Sequence, residues 1–498
     1  MRITDRRAPM GALLAASCAL SACSLFEPRA GDAPVVFETA GVQTPSTLTV
    51  GLYPHVPRIQ QFEQAITAAW AQRHPTIALT FLSEDDWDGG YGMDPPAAAD
   101  VFVFDAMFLD DFAQRGFLST LAPTEVQDLA DFVPYALQGV ASGGRYLAIP
   151  QLGCANILFY QQADAPLAQA STLGAVNTAL NSCQYTSEIP PDRRGLMIDM
   201  SGGTTNAALY LDIMHSRNGT YPLPLPPDPQ SLDPQGVANM RLLLQTASYW
   251  NGTCEGVAAG TPCGAQLDYQ RARWFDQGWG RATVGFTESM ALMSPATRAS
   301  LGFKLMPLAD TDAGDLFYAD VIGINTTTVG RGTRALAVEL ANLMASSAVM
   351  QASIGPSGGE APQYLMATRP SVFQALGQQD PIYPRMYALL TGANNPRMFN
   401  LGPQARSWLT KLKTPIVNAA RSNYACGCDR KTATVIGNNS DAAAICSATC
   451  ANDGGWNGQW TNTPPAAPSA SVCGCRSCPL PTAATAAGAR APSSAAAP

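Results

Sequence analysis

A single cysteine interrupts the stretch AIPQLGCANILFYQQ, residues 148–162. Cys154 follows an apolar run that includes Pro150 and precedes a second one, Ile157-Leu158-Phe159-Tyr160. A thiol so placed is either inert packing or a nucleophile, and a nucleophilic role needs a base close enough to draw off its proton. Cysteine arithmetic sets Cys154 apart. Of thirteen cysteines, Cys18 and Cys23 fall in the first 23 residues, and ten follow Cys154: Cys183, Cys254, Cys263, Cys426, Cys428, Cys446, Cys450, Cys473, Cys475 and Cys478. Ten is an even number, so in an oxidising compartment all ten can pair and leave Cys154 free.

The compartment is set by the N-terminus. MRITDRRAPMGALLAASCALSAC has a basic start (Arg2, Arg6, Arg7) and an apolar run from Met10 to Leu20, too short for a permanent bilayer span. Leu20-Ser21-Ala22-Cys23 has the form of a bacterial lipobox, which predicts a signal peptide over 1–22 and lipidation of Cys23. An ordinary secretory signal is the alternative, and both imply export. Ser24, rather than Asp, after the cysteine favours the outer membrane; release to the extracellular space is the other destination. Residues 23–46 read as a tether.

The body that must position Cys154 reads as α/β. TLTVGLYP is an alternating strand, RIQQFEQAITAAWAQRHP carries Ile59, Phe62, Ile66 and Trp70 at helical spacing, and ADVFVFDA is apolar enough to be buried on both faces. Strand–helix–strand order predicts a parallel sheet with right-handed crossovers. Further on, GGTTNAALYLDIMHSRNG is a loop entering a helix, RATVGFTESMALM a strand entering a turn, LFYADVIGINTTT a strand, and RALAVELANLMASSAVM an Ala-rich amphipathic helix. No Walker lysine follows GGTT, so this turn lines a cleft rather than a phosphate site.

Charge limits the partners. A formal net charge of −8 across 498 residues argues against nucleic acid, which needs a basic face, and leaves room for a cationic ligand. Residues 424–478 hold seven cysteines and are expected to form a disulfide-stapled module; thiolate metal binding is the alternative. No metal or cofactor is expected elsewhere. Residues 479–498, rich in Ala, Pro and Ser, read as a disordered tail.

An exported chain with this opening resembles the solute-binding proteins of bacterial transporters. LYPHVPRIQQFEQAI, DPPAAADVFVFDAMFL, PYALQGV, IPQLGCANILFY, MSGGTTNAALYL, YQRARWFDQGWGRATVGFTESM, LFYADVIGIN and PQYLMATR are sharper. Together, in this order and from Leu48 to Lys413, they resemble the bacterial thiaminase I family (thiamine pyridinylases). The resemblance implies a two-lobed type II periplasmic-binding-protein-like fold over 47–415, with a central cleft and the Cys-rich segment as a C-terminal extension. It places the family's catalytic cysteine on Cys154 and its catalytic glutamate on Glu288. The aspartates that hold the aminopyrimidine fall on Asp105 and Asp320, and cleft tyrosines on Tyr53, Tyr91, Tyr269 and Tyr318. Two substrate-binding positions depart: His55 and Phe286 stand where the family commonly has tyrosine, which keeps a ring but alters the polar groups.

The implied chemistry is coherent on its own terms. Addition of a cysteine to the aminopyrimidine lets the thiazole of thiamine depart and splits one difficult displacement into two steps, completed by an amine, pyridine or thiol. Glu288 in a desolvated cleft suits the base, and aromatic walls with acidic residues suit a flat cation. Each position also has a plainer role: packing for Cys154 and the tyrosines, a surface carboxylate for Glu288, a helix cap for Asp105. The histidines, His55, His74 and His215, have no local signature of a papain-like site. The expected protein is a monomeric, lipid-anchored, thiamine-cleaving transferase; the competing expectation is a non-catalytic lipoprotein that delivers thiamine or a pyrimidine to a transporter.

Overall fold

The computed structural model of the chain describes residues 45–182, 193–249, 269–422, 426–462 and 471–478. The signal segment, Cys23, Cys183, Cys254, Cys263 and the 479–498 tail lie outside the described residues.

Two sheets organise the body. In chain order the strands are β1 (Thr47–Gly51), β2 (Ala78–Phe81), β3 (Val101–Asp105), β4 (Ile149–Cys154), β5 (Ile157–Gln161), β6 (Leu196–Met197), β7 (Ala247–Tyr249), β8 (Ala282–Gly285), β9 (Leu301–Leu305), β10 (Leu316–Ile324), β11 (Met366–Ala367) and β12 (Arg397–Met398). The first sheet runs β11-β4-β10-β3-β1-β2, with β12 beside β10; the second runs β9-β5-β8-β6-β7. Each sheet anchors one lobe. The chain passes from the first to the second between β4 and β5, across only Ala155 and Asn156, and returns between β9 and β10.

The sheets are mixed rather than parallel. β1 pairs in parallel with β2 and β3, as helical crossovers require, but β10 runs antiparallel to both β3 and β4. The reason is the chain's route: β10 enters the first sheet from the other lobe, not through a crossover helix. β3 is buried along its whole length, and its Phe102 and Phe104 pack with Phe112 and Trp87.

Helices cover the sheets where their apolar spacing predicts. α1 (Ile59–Arg73) buries Phe62, Ile66 and Trp70. α2 (Thr204–Asn218) is buried along most of its length and ends at Gly219, whose φ of 66° is the left-handed stop that glycine adopts without strain. The Ala-rich segment is not one helix but two, α3 (Arg334–Met344) and α4 (Ser347–Ile354), because Ser346 is extended and caps the second with its hydroxyl. α5 (Ala405–Arg421), which runs past 415, packs on α2.

The C-terminal module has its own small core. Strands β13 (Cys426–Lys431), β14 (Trp456–Thr461) and β15 (Val472–Cys478) form an antiparallel sheet in the order β13-β15-β14, with helix α6 (Asn439–Thr449) between the first two in sequence. Disulfides Cys446–Cys473 and Cys450–Cys475 tie α6 and the residue that follows it to β15 around buried Ile436 and Ala442. The expected disulfide chemistry is therefore present at these four cysteines.

Candidate active site

Strand register assembles the core of the site. Tyr318 on β10 lies opposite Cys154 on β4, and Asp320 on β10 lies opposite Asp105 on β3. Opposed residues share a face, as do residues two apart on one strand, so these four side chains converge on one side of the central sheet. The β4–β10 register shifts just beyond Asp320, where Gln151 is the extra residue. Such bulges re-aim side chains at sites.

Aromatic residues wall this face. The Tyr53 and Tyr91 hydroxyls are 3.0 Å apart, and Tyr91 donates to Asp105 Oδ2 at 2.9 Å. Asp105 Oδ1 accepts from the Met107 N–H at 2.9 Å, so the carboxyl both caps the following 3₁₀ turn and faces the cleft. His55 is exposed, with its ring edge-on to Tyr53 and Tyr91 at 5.3 and 5.5 Å. Gly89, with φ of 77°, permits this wall: a Cβ there would lie 2.7 Å from the Tyr53 ring.

The second lobe supplies the other wall. β8 ends at Gly285 and turns into the 3₁₀ helix Thr287–Leu292, which buries Glu288 to 6% exposure. Tyr269 donates to Glu288 Oε1 at 3.2 Å. Phe286 meets Tyr318 edge to face at 6.2 Å, and the Phe399 ring lies 5.0 Å from that of Tyr318, tilted by 56°. Cys154, the free cysteine among the described residues, stands where the walls meet.

The electrostatics follow from burial and like charge. Burial pushes the Cys154 thiol well above its ordinary range, and Glu288, Asp320 and Asp105 push it further, so the resting sulfur is protonated. Burial raises Asp105 to about 6, against the pull of the Met107 N–H and the Tyr91 hydroxyl. Asp320 is driven well above the usual carboxylate range by burial, then by Asp105 and Glu288. Burial thus favours the protonated, donating form of Asp320, beside an Asp105 carboxyl that accepts from the Met107 N–H and the Tyr91 hydroxyl. Burial also holds Tyr53, Tyr91 and Tyr318 neutral. Among the described residues no group of three or more His, Cys, Asp or Glu side chains is arranged to hold a metal ion.

All ten residues singled out in the body, Tyr53, His55, Tyr91, Asp105, Cys154, Tyr269, Phe286, Glu288, Tyr318 and Asp320, fall on these two walls or at their junction. Three neighbours escaped sequence reasoning: Asn156, Asp212 and Phe399. Asn156 donates from Nδ2 to Asp212 Oδ2 at 2.8 Å and to the Tyr318 oxygen at 3.1 Å. The available signal was a polar residue inside each of two apolar runs, CANILFY and AALYLDIM.

Two sheet-centred lobes that bring together a lone thiol, a buried glutamate and an acidic aromatic wall define a binding-protein-like architecture. The Thiaminase-1 domain family matches residues 155–309. Thiaminase-1 of Paenibacillus thiaminolyticus is 34% identical over 377 residues, which cover 75% of this chain and 88% of that protein. The chain belongs to the thiaminase-1 family. The solved thiaminase I of Clostridium botulinum, in complex with thiamin, has 32% identity and a TM-score of 0.67, covering 75% of this chain and all of that one. Thiaminase I from Bacillus thiaminolyticus gives 33% and 0.67, with 75% and 99% covered. A transporter solute-binding protein of Thermotoga lettingae shares the fold alone, at 12% identity and a TM-score of 0.53, with 76% of this chain and 98% of that one covered. Separately, the Mannan-binding protein family matches residues 439–475, inside the C-terminal module.

Proposed function

We propose that this chain cleaves thiamine by transferring its aminopyrimidine group to an external nucleophile. Glu288 takes the Cys154 proton, and the thiolate adds to the pyrimidine ring. The methylene–nitrogen bond then breaks with its electron pair going to the thiazolium, which leaves as neutral thiazole. An amine, pyridine or thiol attacks the methylene carbon, the carbon–sulfur bond breaks, and the thiolate regains a proton from Glu288. With a primary amine the net reaction releases one proton. Asp320 as acid and Asp105 as carboxylate suit a ring nitrogen and an amino group side by side. Tyr53, His55, Tyr91, Tyr269, Phe286 and Tyr318 give rings against a flat cation.

The observation that carries this reading is the placement of a neutral thiol and a buried glutamate in one receptor-like cleft, where Glu288 acts electrostatically on Cys154. A non-catalytic lipoprotein that hands thiamine or a pyrimidine to a transporter needs neither group. Incubation of the protein with thiamine and aniline tests the choice: thiamine should disappear with release of free thiazole. Unchanged thiamine with tight binding would establish the receptor instead.

The protein is held in the bacterial envelope by acyl chains on Cys23, a reading supported by the lipobox-like Leu20-Ser21-Ala22-Cys23. Cys23→Ala should release it from membranes; a wild-type protein recovered unacylated refutes this. The likeness of the C-terminal module to mannan-binding proteins, with Asn457 and Gln459 exposed between Trp456 and Trp460 on β14, supports a glycan-binding role for the module. Retention of the full chain on immobilised mannan checks it.

A further inference from the structure

Asn156 occupies a singular position. It is the second of the two residues that join β4 to β5, its carbonyl accepts from the Met306 N–H just past β9, and its amide reaches both α2 and β10. Asp212, its partner, is 5% exposed and follows directly on the apolar run Ala207–Leu211 of α2. An ionised carboxylate only accepts hydrogen bonds, so it forces the NH2 end of the Asn156 amide to face it. The same NH2 group then donates its second hydrogen to the Tyr318 oxygen. Tyr318 is thereby an acceptor toward Asn156, and its own hydrogen is left for an acceptor in the cleft. Tyr318 is the residue opposite Cys154.

If Asp212 takes up a proton, the constraint is lifted. The amide can turn, its oxygen then receives hydrogens from both Asp212 and Tyr318, and the phenol has no hydrogen left for the cleft. We propose that Asp212 and Asn156 are positioning residues for the reaction, and that the protonation state of Asp212 sets, through the Asn156 amide, whether Tyr318 donates into the cleft beside Cys154. Asp212 is raised to about 7 by burial, with Asp315 adding to the rise and Asn156 and the Leu316 N–H opposing it. The titratable groups that face it are Asp315 and Tyr318, both brought by β10 or the turn before it.

The inference rests on the proposed thiamine transfer, and the experiment separates the two. With thiamine and aniline as substrates, kcat of the wild-type full-length protein should fall as pH drops through about 7. Asp212→Asn keeps the shape but no longer dictates the amide's direction. It should lower kcat at pH 8 by about tenfold, the scale of one hydrogen bond, leave KM within about twofold, and lose that limb of the profile. Tyr318→Phe should cause a similar drop, and the double variant should be no slower than Tyr318→Phe alone. Wild-type kcat and profile in Asp212→Asn, or a double variant whose loss is the product of the two, would overturn the proposal. If the wild type turns over no thiamine, the functional reading fails, and the positioning claim is decided by NMR of protein labelled with 15N-asparagine. The side-chain amide signals absent from Asn156→Ala should shift near pH 7 in the wild type and stay fixed in Asp212→Asn; signals that do not titrate refute it.

Discussion

Asp105 of β3 and Asp320 of β10 are direct partners across the antiparallel ladder at the centre of the first lobe. Side chains so opposed stand about 5 Å apart at Cβ, close enough that two buried negative charges repel strongly. Burial, and then this repulsion, favour the protonated form of Asp320. Sheet geometry therefore sets side by side two carboxyl groups of which Asp105 already accepts hydrogen bonds.

Replacement of the nucleophile separates binding from chemistry. Cys154→Ala removes the sulfur but none of the ring-holding groups, so thiamine affinity by calorimetry should stay within a few fold while turnover is lost. With wild-type protein and no amine, intact mass should show a pyrimidinylmethyl adduct that maps to Cys154, and steady-state kinetics with thiamine and an amine should be ping-pong. An active Cys154→Ala variant would reduce the thiol to packing.

Glu288→Gln keeps the cleft's shape and cannot take a proton. Its rate should fall by at least ~100-fold, the lower end for general base catalysis. The same variant should make the free thiol easier to ionise, because Glu288 is the largest charge acting against Cys154 after burial. Iodoacetamide should thus label Cys154 faster in Glu288→Gln than in the wild type at pH 8, even as turnover collapses. Slower labelling would show that the charge of Glu288 does not reach the sulfur.

Asp212 also gives a signed stability prediction. Its folded pKa of about 7 lies above the usual carboxylate value of 3.8, so between these limits the folded state holds more protons than the unfolded one. Stability contributed by this group is complete below about pH 4 and is lost as pH rises through 7. Asp212→Asn lacks that loss. Denaturant melts at pH 5 and pH 8 should show the variant gaining on the wild type with rising pH, by on the order of a few kcal/mol at most. A constant difference across that range would mean that Asp212 does not titrate as described.

The C-terminal module should be separable from the chemistry. A chain ending before Tyr424 retains both sheets and α5, so it should fold and transfer the aminopyrimidine at a rate within about twofold of the full chain, and fail to bind mannan. A well-folded but inactive truncation would contradict this.

Much of the fold was legible in the sequence because local pattern and motif order carry it. The helical spacing of Phe62, Ile66 and Trp70 specified α1, and the uninterrupted apolar run Val101–Phe104 specified a strand buried on both faces. The direction of β10 was not legible, because it depends on the lobe from which the chain returns, a fact spread over more than a hundred residues. The break between α3 and α4 turns on Ser346 leaving the first helix to cap the second, although the flanking alanines favour continuation. Asn156 and Asp212 looked like isolated polar residues in apolar runs. Only the fold shows that they meet each other and Tyr318.

Only two residues join β4 to β5, a span of roughly 7 Å if fully extended. So short a bridge leaves no slack: one residue inserted or deleted between Cys154 and Ile157 would shift the sulfur against one sheet or the other. Natural variants of this protein should not accept length changes in this bridge. The same geometry offers a route for design. A solute receptor of this architecture already has, at the last residue before its first lobe crossing, an address tied to both halves, and a nucleophile installed there inherits its aim from the scaffold.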